Sequence, residues 1–232
     1  MQVITLAFAD PDTTPPGQQT DFQRVNGSIS YYYLNSFDIR TLSTNSANAG
    51  TDVTGLLYTP ELPDHDPCIN ASAPYVPHNV TRKASLPDTD LDLIAVAPWI
   101  SPPCTLAYLS SASRDPVRGF IFFPPDNSTD EPALPNSPQW NLGDGGRWKH
   151  DNRYPVYVMP GQPGQTLLKE SALYSGNLTQ APNGHLLSGM YDPRDYVRLY
   201  IDVDTGELNK SIVERPAKLS YGGEQPPART AT

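Results

Sequence analysis

Residues 91–123 read "LDLIAVAPWISPPCTLAYLSSASRDPVRGFIFF", and the changes of pattern inside this stretch decide the fold class. "LDLIAVAPWI" (91–100) is a continuous apolar run of strand length, halted by "SPP". A strand with no polar alternation is one buried on both faces. After Pro103 comes "CTLAYLSSASR", a helical candidate in which Leu106, Leu109 and Ser113 share a face. "VRGFIFFPPD" (117–126) is a second buried strand, closed by two prolines.

The same grammar continues outward. Upstream, "VTGLLYTP" (53–60) is a short strand ended by proline, and a long Pro-rich loop fills 60–90. Downstream, "YPVYVMPG" (154–161) is a strand that turns through Gly161 and Gly164 into a helix, "QTLLKESALYSG", with Gly176 as its C-cap. "DYVRLYIDV" (195–203) alternates Val197, Leu199 and Ile201 against Tyr196, Arg198 and Tyr200, the period of a strand. "DTGE" then turns it back onto "LNKSIVE" (208–214) as a hairpin. Near the N-terminus, "VITLAF" reads as an edge strand and "GSISYYYLNSFDI" (27–39) as a further β segment, followed by a polar loop over 43–52.

Two strand–helix–strand passages with sheet material on either side predict a mixed α/β domain. No linker interrupts 27–214, so this span is one domain with its core at 53–174 and a polar insertion at 127–153. Residues 1–26 are an N-terminal extension with the edge strand, and 215–232 a tail of flexible-linker composition. The 26 prolines are about twice ordinary usage and fall mostly between apolar runs, as a loop-rich β-containing fold requires.

A formal charge of −9 with no basic cluster argues against nucleic acid. No apolar run approaches the length of a transmembrane helix, and "MQVITLAFADPD" has neither the basic n-region nor the apolar h-region of a signal peptide. The chain is read as a possible piece of a longer protein. Six Asn-x-Ser/Thr triplets begin at Asn26, Asn70, Asn79, Asn127, Asn177 and Asn209. Chance would supply roughly two at this composition, so the excess points to the secretory pathway. The only two cysteines, Cys68 and Cys104, suit one bridge in an oxidising compartment; two unpaired buried thiols are the alternative.

Catalytic signatures are not evident. His65, His78, His150 and His185 lie in loops without metal-ligand spacing, and no Gly-x-Ser-x-Gly elbow occurs. "LGDGGRWK" (142–149) lacks the Lys-Ser/Thr ending of a phosphate loop, and "DVDTGE" (202–207) does not complete a calcium loop. Cys104 after Pro103 has the position of a thiolate at a helix start, but the second cysteine favours a bridge. What remains is surface. Trp140, Arg147 and Trp148 sit in the polar insertion and are the candidate ligand-binding residues, because Trp and Arg are enriched in binding hot spots. The alternative is that both indoles fold down onto the domain's own core.

Three passages together resemble the protease-associated (PA) domain: "DVTGLLYTPELPDHDPC", "LDLIAVAPWISPPCTLAYLSSASRDPVRGFIFF" and "YPVYVMPGQPGQTLLKESA". The family pattern has a strand like "GLLY", an acidic-Cys loop like "DPC", an apolar strand, a cysteine, a helix and a strand beginning near Gly. The resemblance covers roughly 53–174. This chain departs from the family where it carries "SPPC" and "SRDPVRG".

The resemblance implies a PA-type, swivelling-domain-like β/β/α sandwich: a mixed, partly closed sheet with a few flanking helices. It implies no catalysis by this chain, no catalytic residue, no cofactor and no metal. The partner would be a protein or peptide ligand, cargo or substrate, with no nucleic acid and no direct membrane contact by this segment. The Tyr-rich strand, the Trp-containing insertion and "YSGNLT" look most like the lumenal region of fungal PA–transmembrane–RING proteins. On that likeness the parent is a membrane-anchored RING-type ubiquitin ligase or sorting receptor. The segment would then face a Golgi, endosomal or vacuolar lumen or the cell exterior. The alternative is a regulatory, substrate-gating segment of a secreted or vacuolar peptidase.

Overall fold

In the computed structural model, which describes residues 1–9, 22–25, 30–32, 39–43, 53–86 and 92–203, nine strands join one mixed sheet. They are β1 (Gln2–Phe8), β2 (Phe22–Arg24), β3 (Ser30–Tyr32), β4 (Arg40–Ser43) and β5 (Val53–Tyr58). After them come β6 (Leu93–Pro98), β7 (Val117–Phe123), β8 (Val156–Val158) and β9 (Tyr196–Val203). Four α-helices accompany them: α1 (Pro67–Ser72), α2 (Pro102–Ala112), α3 (Trp148–Asp151) and α4 (Gly161–Leu173). The sheet order is β2-β1-β9-β5-β6-β7-β8-β4, with β3 also paired to β1. β5 to β8 are mutually parallel, and the strands flanking this block pair antiparallel. Among the described residues no pairing joins β2 to β4.

The unbroken apolar runs have the predicted cause. Every residue of β6 is buried; Leu93, Ala95 and Ala97 belong to one core, Ile94 and Val96 to the other. α2 supplies Tyr108, Leu109 and Ala112 to the first core, while α4 supplies Leu167 and Leu168 to the second. The buried stripe of α2 runs through Cys104, Thr105, Tyr108, Leu109, Ser111 and Ala112. Leu109 is at the edge of this stripe, and Leu106, about 60° further round the helix, is exposed, as is Ser113, so the three do not form the buried face.

α4 begins at Gly161, earlier than expected, because proline is tolerated in a first helical turn. Gly164 lets the helix lie directly on β7: a Cβ there would run into the Phe123 ring and its Cβ. The helix ends at Leu173 with Tyr174 as C-cap. Gly176 serves instead as an acceptor, its carbonyl taking bonds from the Val197 amide and the Arg198 guanidinium.

One expectation changes at the start of the chain. "VITLAF" is not an edge strand: β1 pairs along its whole length with β9 and is flanked on the other side by β2 and β3. Its apolar run, with Val3, Leu6, Ala7 and Phe8 all buried, is what an inner strand needs. The hairpin expected over 204–214 and the tail at 215–232 lie outside the described residues.

Arg198 is the sharpest departure from the period-two reading. It falls on the polar side of β9, yet it is only 2% exposed. Nε donates to the Ser85 carbonyl at 3.1 Å, and Nη1 donates to the carbonyls of Gly176 at 2.7 Å and Val197 at 2.8 Å. The guanidinium also lies 4.8 Å from the centre of the Tyr196 ring. Burial pulls its pKa down to about 10, which leaves it charged at neutral pH.

Replacing Gly164 by Ala forces overpacking against Phe123 and is expected to lower unfolding free energy by about 1–3 kcal/mol, measured by urea denaturation. An unchanged midpoint would mean that helix and strand separate freely. Buried tyrosines predict a second effect. Desolvation, then the hydrogen bond from Tyr58 Oη to Asp115 Oδ2 (2.8 Å), push the Tyr58 pKa far up. Tyr154 is raised by burial and then by the Asp115 charge, and burial pushes Tyr157 up to about 12 from 10.0. A folded-state pKa above the unfolded one gives stability that is whole below pH 10 and is lost as pH climbs toward 12. The Arg198 shift acts in the opposite direction and offsets part of it. Unfolding by circular dichroism should accompany late tyrosinate absorbance; tyrosinate absorbance that titrates in full with the ordinary pKa of 10.0 while the fold stays intact would contradict the burial.

Candidate functional site

The connection from β5 to β6 is where the sequence showed only a proline-rich loop, and it builds a cleft. "DHDPC" contains a helix start. Asp66 is the N-cap of α1, accepting the Cys68 amide at 2.8 Å, and Pro67 opens the helix where no amide donor is needed. Cys68 is bonded to Cys104 in the first turn of α2, with Cα atoms 5.3 Å apart. At the far end of α1, Ser72 Oγ donates to the Cys68 carbonyl at 2.6 Å and accepts Tyr108 Oη at 2.8 Å. α1 is thus tied to α2 twice, covalently and through a buried hydroxyl pair.

The return path is anchored in turn. The Thr59 amide donates to the Thr81 carbonyl at 2.9 Å, and Thr81 Oγ1 meets Ser175 Oγ at 2.8 Å. Arg82 Nη1 donates to the carbonyls of Pro60 at 2.9 Å and Thr59 at 3.3 Å. The bonds of Arg198 to Ser85 and Gly176 hold the end of this segment to β9. Between α1, α2 and the 59–86 segment lies a cleft of about 710 Å³. Leu62, Ile69 and Val76 give it apolar lining; Glu61, Asp64, Arg82 and Tyr108 give it polar groups. Ile69 is 42% exposed and adds its apolar side chain to this lining. Desolvation lowers the Arg82 pKa, while the charges of Tyr108 and Glu61 act against that shift. The Tyr108 pKa is raised by burial, against the Ser72 hydrogen bond and the Arg82 charge.

The tryptophan site dissolves. Trp140 is 1% exposed and Trp148 4%. Trp140 and Trp148 pack against Trp99 at ring separations of 5.0 and 5.7 Å, over Phe122 of β7. Their Nε1 groups donate to the carbonyls of Ala133 (3.1 Å) and Trp140 (2.9 Å). Buried, hydrogen-bonded indoles, edge-on or tilted against Trp99, cap the sheet; they offer no ligand surface. The insertion holds this pose through left-handed Gly143, Gly145 and Gly146, with Asp144 Oδ2 accepting the Trp148 amide at 2.6 Å. Arg147 is exposed.

Of the sequons, Asn70 on α1 and Asn127 after β7 are exposed. Asn79 is exposed with Nδ2 donating to the Ala172 carbonyl at 3.0 Å. Asn177 is half-buried, bridged to Tyr196, with Oδ1 accepting Thr179 Oγ1 at 2.8 Å. Asn26 and Asn209 lie outside the described residues. All four histidines are exposed, and among the described residues no group of His, Cys, Asp or Glu is arranged to hold a metal ion. Among them also, no helix is long and apolar enough to cross a membrane.

Cys68→Ser/Cys104→Ser removes a closure over 36 positions and is expected to cost roughly 3.5–4 kcal/mol in the chain-entropy model. Urea unfolding of the oxidised and doubly substituted proteins measures it, and equal midpoints would refute the contribution. No protein-family model matches the chain, and no curated protein matches it.

Proposed function

We propose that the chain is a non-catalytic, protein-binding module of the PA type, which holds a peptide segment of a cargo or substrate protein in the cleft beside α1 and α2. The cleft carries this reading: it is large enough for several side chains, apolar at Leu62, Ile69 and Val76, and edged by opposite charges. Its walls are fixed by the disulfide and the Ser72–Tyr108 bond, so little ordering is needed on binding.

The succession β5, β6, α2, β7, β8, α4 in a mixed sheet supports a PA-type sandwich. The bridge and the exposed Asn70, Asn79 and Asn127 support a lumenal or extracellular setting. On that resemblance the bound protein would be cargo for a membrane-anchored RING-type ubiquitin ligase or a sorting receptor.

Selection of short peptides from a random display library, with affinities read by fluorescence anisotropy, tests the reading. Ile69→Asp, which places a charge in the apolar cleft at an exposed position, should weaken selected peptides by roughly tenfold or more with the fold unchanged. Failure to select any peptide, or equal binding by the variant, would reject it.

A further inference from the structure

Within that proposed cleft, we infer that Arg82 is a recognition residue for an acidic side chain of the bound peptide, with Glu61 and Asp64 facing a basic neighbour of that residue. The inference rests on the peptide-binding reading and adds to it which peptide is held.

The guanidinium is half-buried, and its two hydrogen bonds among the described residues both leave from Nη1, toward the carbonyls of Thr59 and Pro60. Among the described residues Nε and Nη2 have no hydrogen-bond partner, and none of the ion pairs (Arg40–Glu131, Arg118–Asp92, Arg194–Asp192) includes Arg82. Nε–H and Nη2–H lie side by side in the planar group, the fork that the two oxygens of a carboxylate match. The bonds from Nη1 fix the plane of the group, so the fork is set before a ligand arrives.

Glu61 is close enough to act on the Arg82 charge and yet forms no ion pair with it. Contrast Arg198, which is fully buried: its Nε and both terminal nitrogens are spent on main-chain carbonyls. Arg198 is a clamp; Arg82 lines the cleft with one edge that no described residue occupies. Glu61 and Asp64, both exposed on the same cleft, form no ion pair among the described residues either. A peptide carrying Glu or Asp beside Lys or Arg satisfies both charges at once.

The test uses fluorescein-labelled, N-acetylated, C-amidated peptide pools with a fixed Glu-Lys core and randomised apolar-rich flanks. Matched pools carry Gln-Lys and Glu-Gln, and one Gln-Lys pool keeps a free C-terminus. The expected result is tighter binding of Glu-Lys than of Gln-Lys by roughly 10- to 100-fold, the range for hydrogen bonds to a charged group. Arg82→Gln should erase that preference. Because Arg82 also holds two carbonyls, Arg82→Lys and thermal unfolding are measured beside it. Loosening the loop would weaken the Glu and Gln pools alike, whereas loss of the fork removes the difference between them. Equal binding of the two pools, or a preference that survives Arg82→Gln, overturns the inference and leaves peptide binding standing. A free C-terminus that restores full affinity to the Gln-Lys pool overturns the side-chain assignment. Binding of no pool overturns both proposals.

Discussion

Burial of the parallel strands on both faces is the constraint that the rest of the molecule answers. β6 has no exposed position, and the final five residues of β7 are all buried. Each face therefore has to be covered by chain that contributes apolar surface and satisfies its own main-chain groups. α4 covers one face, brought into contact by Gly164. The other receives α2 and, beyond the end of α2, the 127–153 insertion. That insertion is polar in sequence because most of its residues face water. Its two tryptophans and Leu142 are the part that faces the sheet.

Covering both faces leaves the β5–β6 connection as the piece with freedom to serve another purpose. Its helix α1 rests on α2 through a bond between sulfurs and a pair of hydroxyls, not through a broad apolar stripe: only Cys68 and Ser72 of α1 are buried. This spares Ile69 and the neighbouring polar groups from structural duty and leaves them at the cleft. Arg198 and Arg82 divide the remaining work. One is saturated with carbonyls and closes the loop onto the sheet; the other holds the loop with one nitrogen.

Much of the fold was legible because it rests on local patterns. The apolar runs at β5, β6, β7 and β8, the helix after Pro103 and the alternation of β9 all lie where the chain's periodicity places them. The bridge between Cys68 and Cys104 follows from there being only two cysteines. The misreadings have a common origin in long-range contacts. β1 is an inner strand because β2 and β3 return to pair with it, which no local pattern announces. Trp140 and Trp148 look like surface residues until Trp99 and Phe122 are brought beneath them. α1, in contrast, did have a local sign, since Asp66 followed by Pro67 is an N-cap and first-turn pair. Arg82 carried none: its value depends on Thr59 and Pro60 occupying one of its nitrogens, and those contacts span more than twenty positions.

The clamp at Arg198 also sets a calendar for the molecule's birth. A ribosome delivers the chain from its N-terminus, so α1, the segment to Ser85 and all of α2 emerge long before β9. The residue that fastens Ser85 stands 113 positions later, and β1 waits for the same strand to become an inner one. For that interval the walls of the cleft exist without their fastening, with both cysteines already free of the ribosome. Where a thiol oxidant is present, the two sulfurs can be bridged before the closing strand is made. The bridge and the Ser72–Tyr108 bond are thus links between α1 and α2 that need no residue of β9.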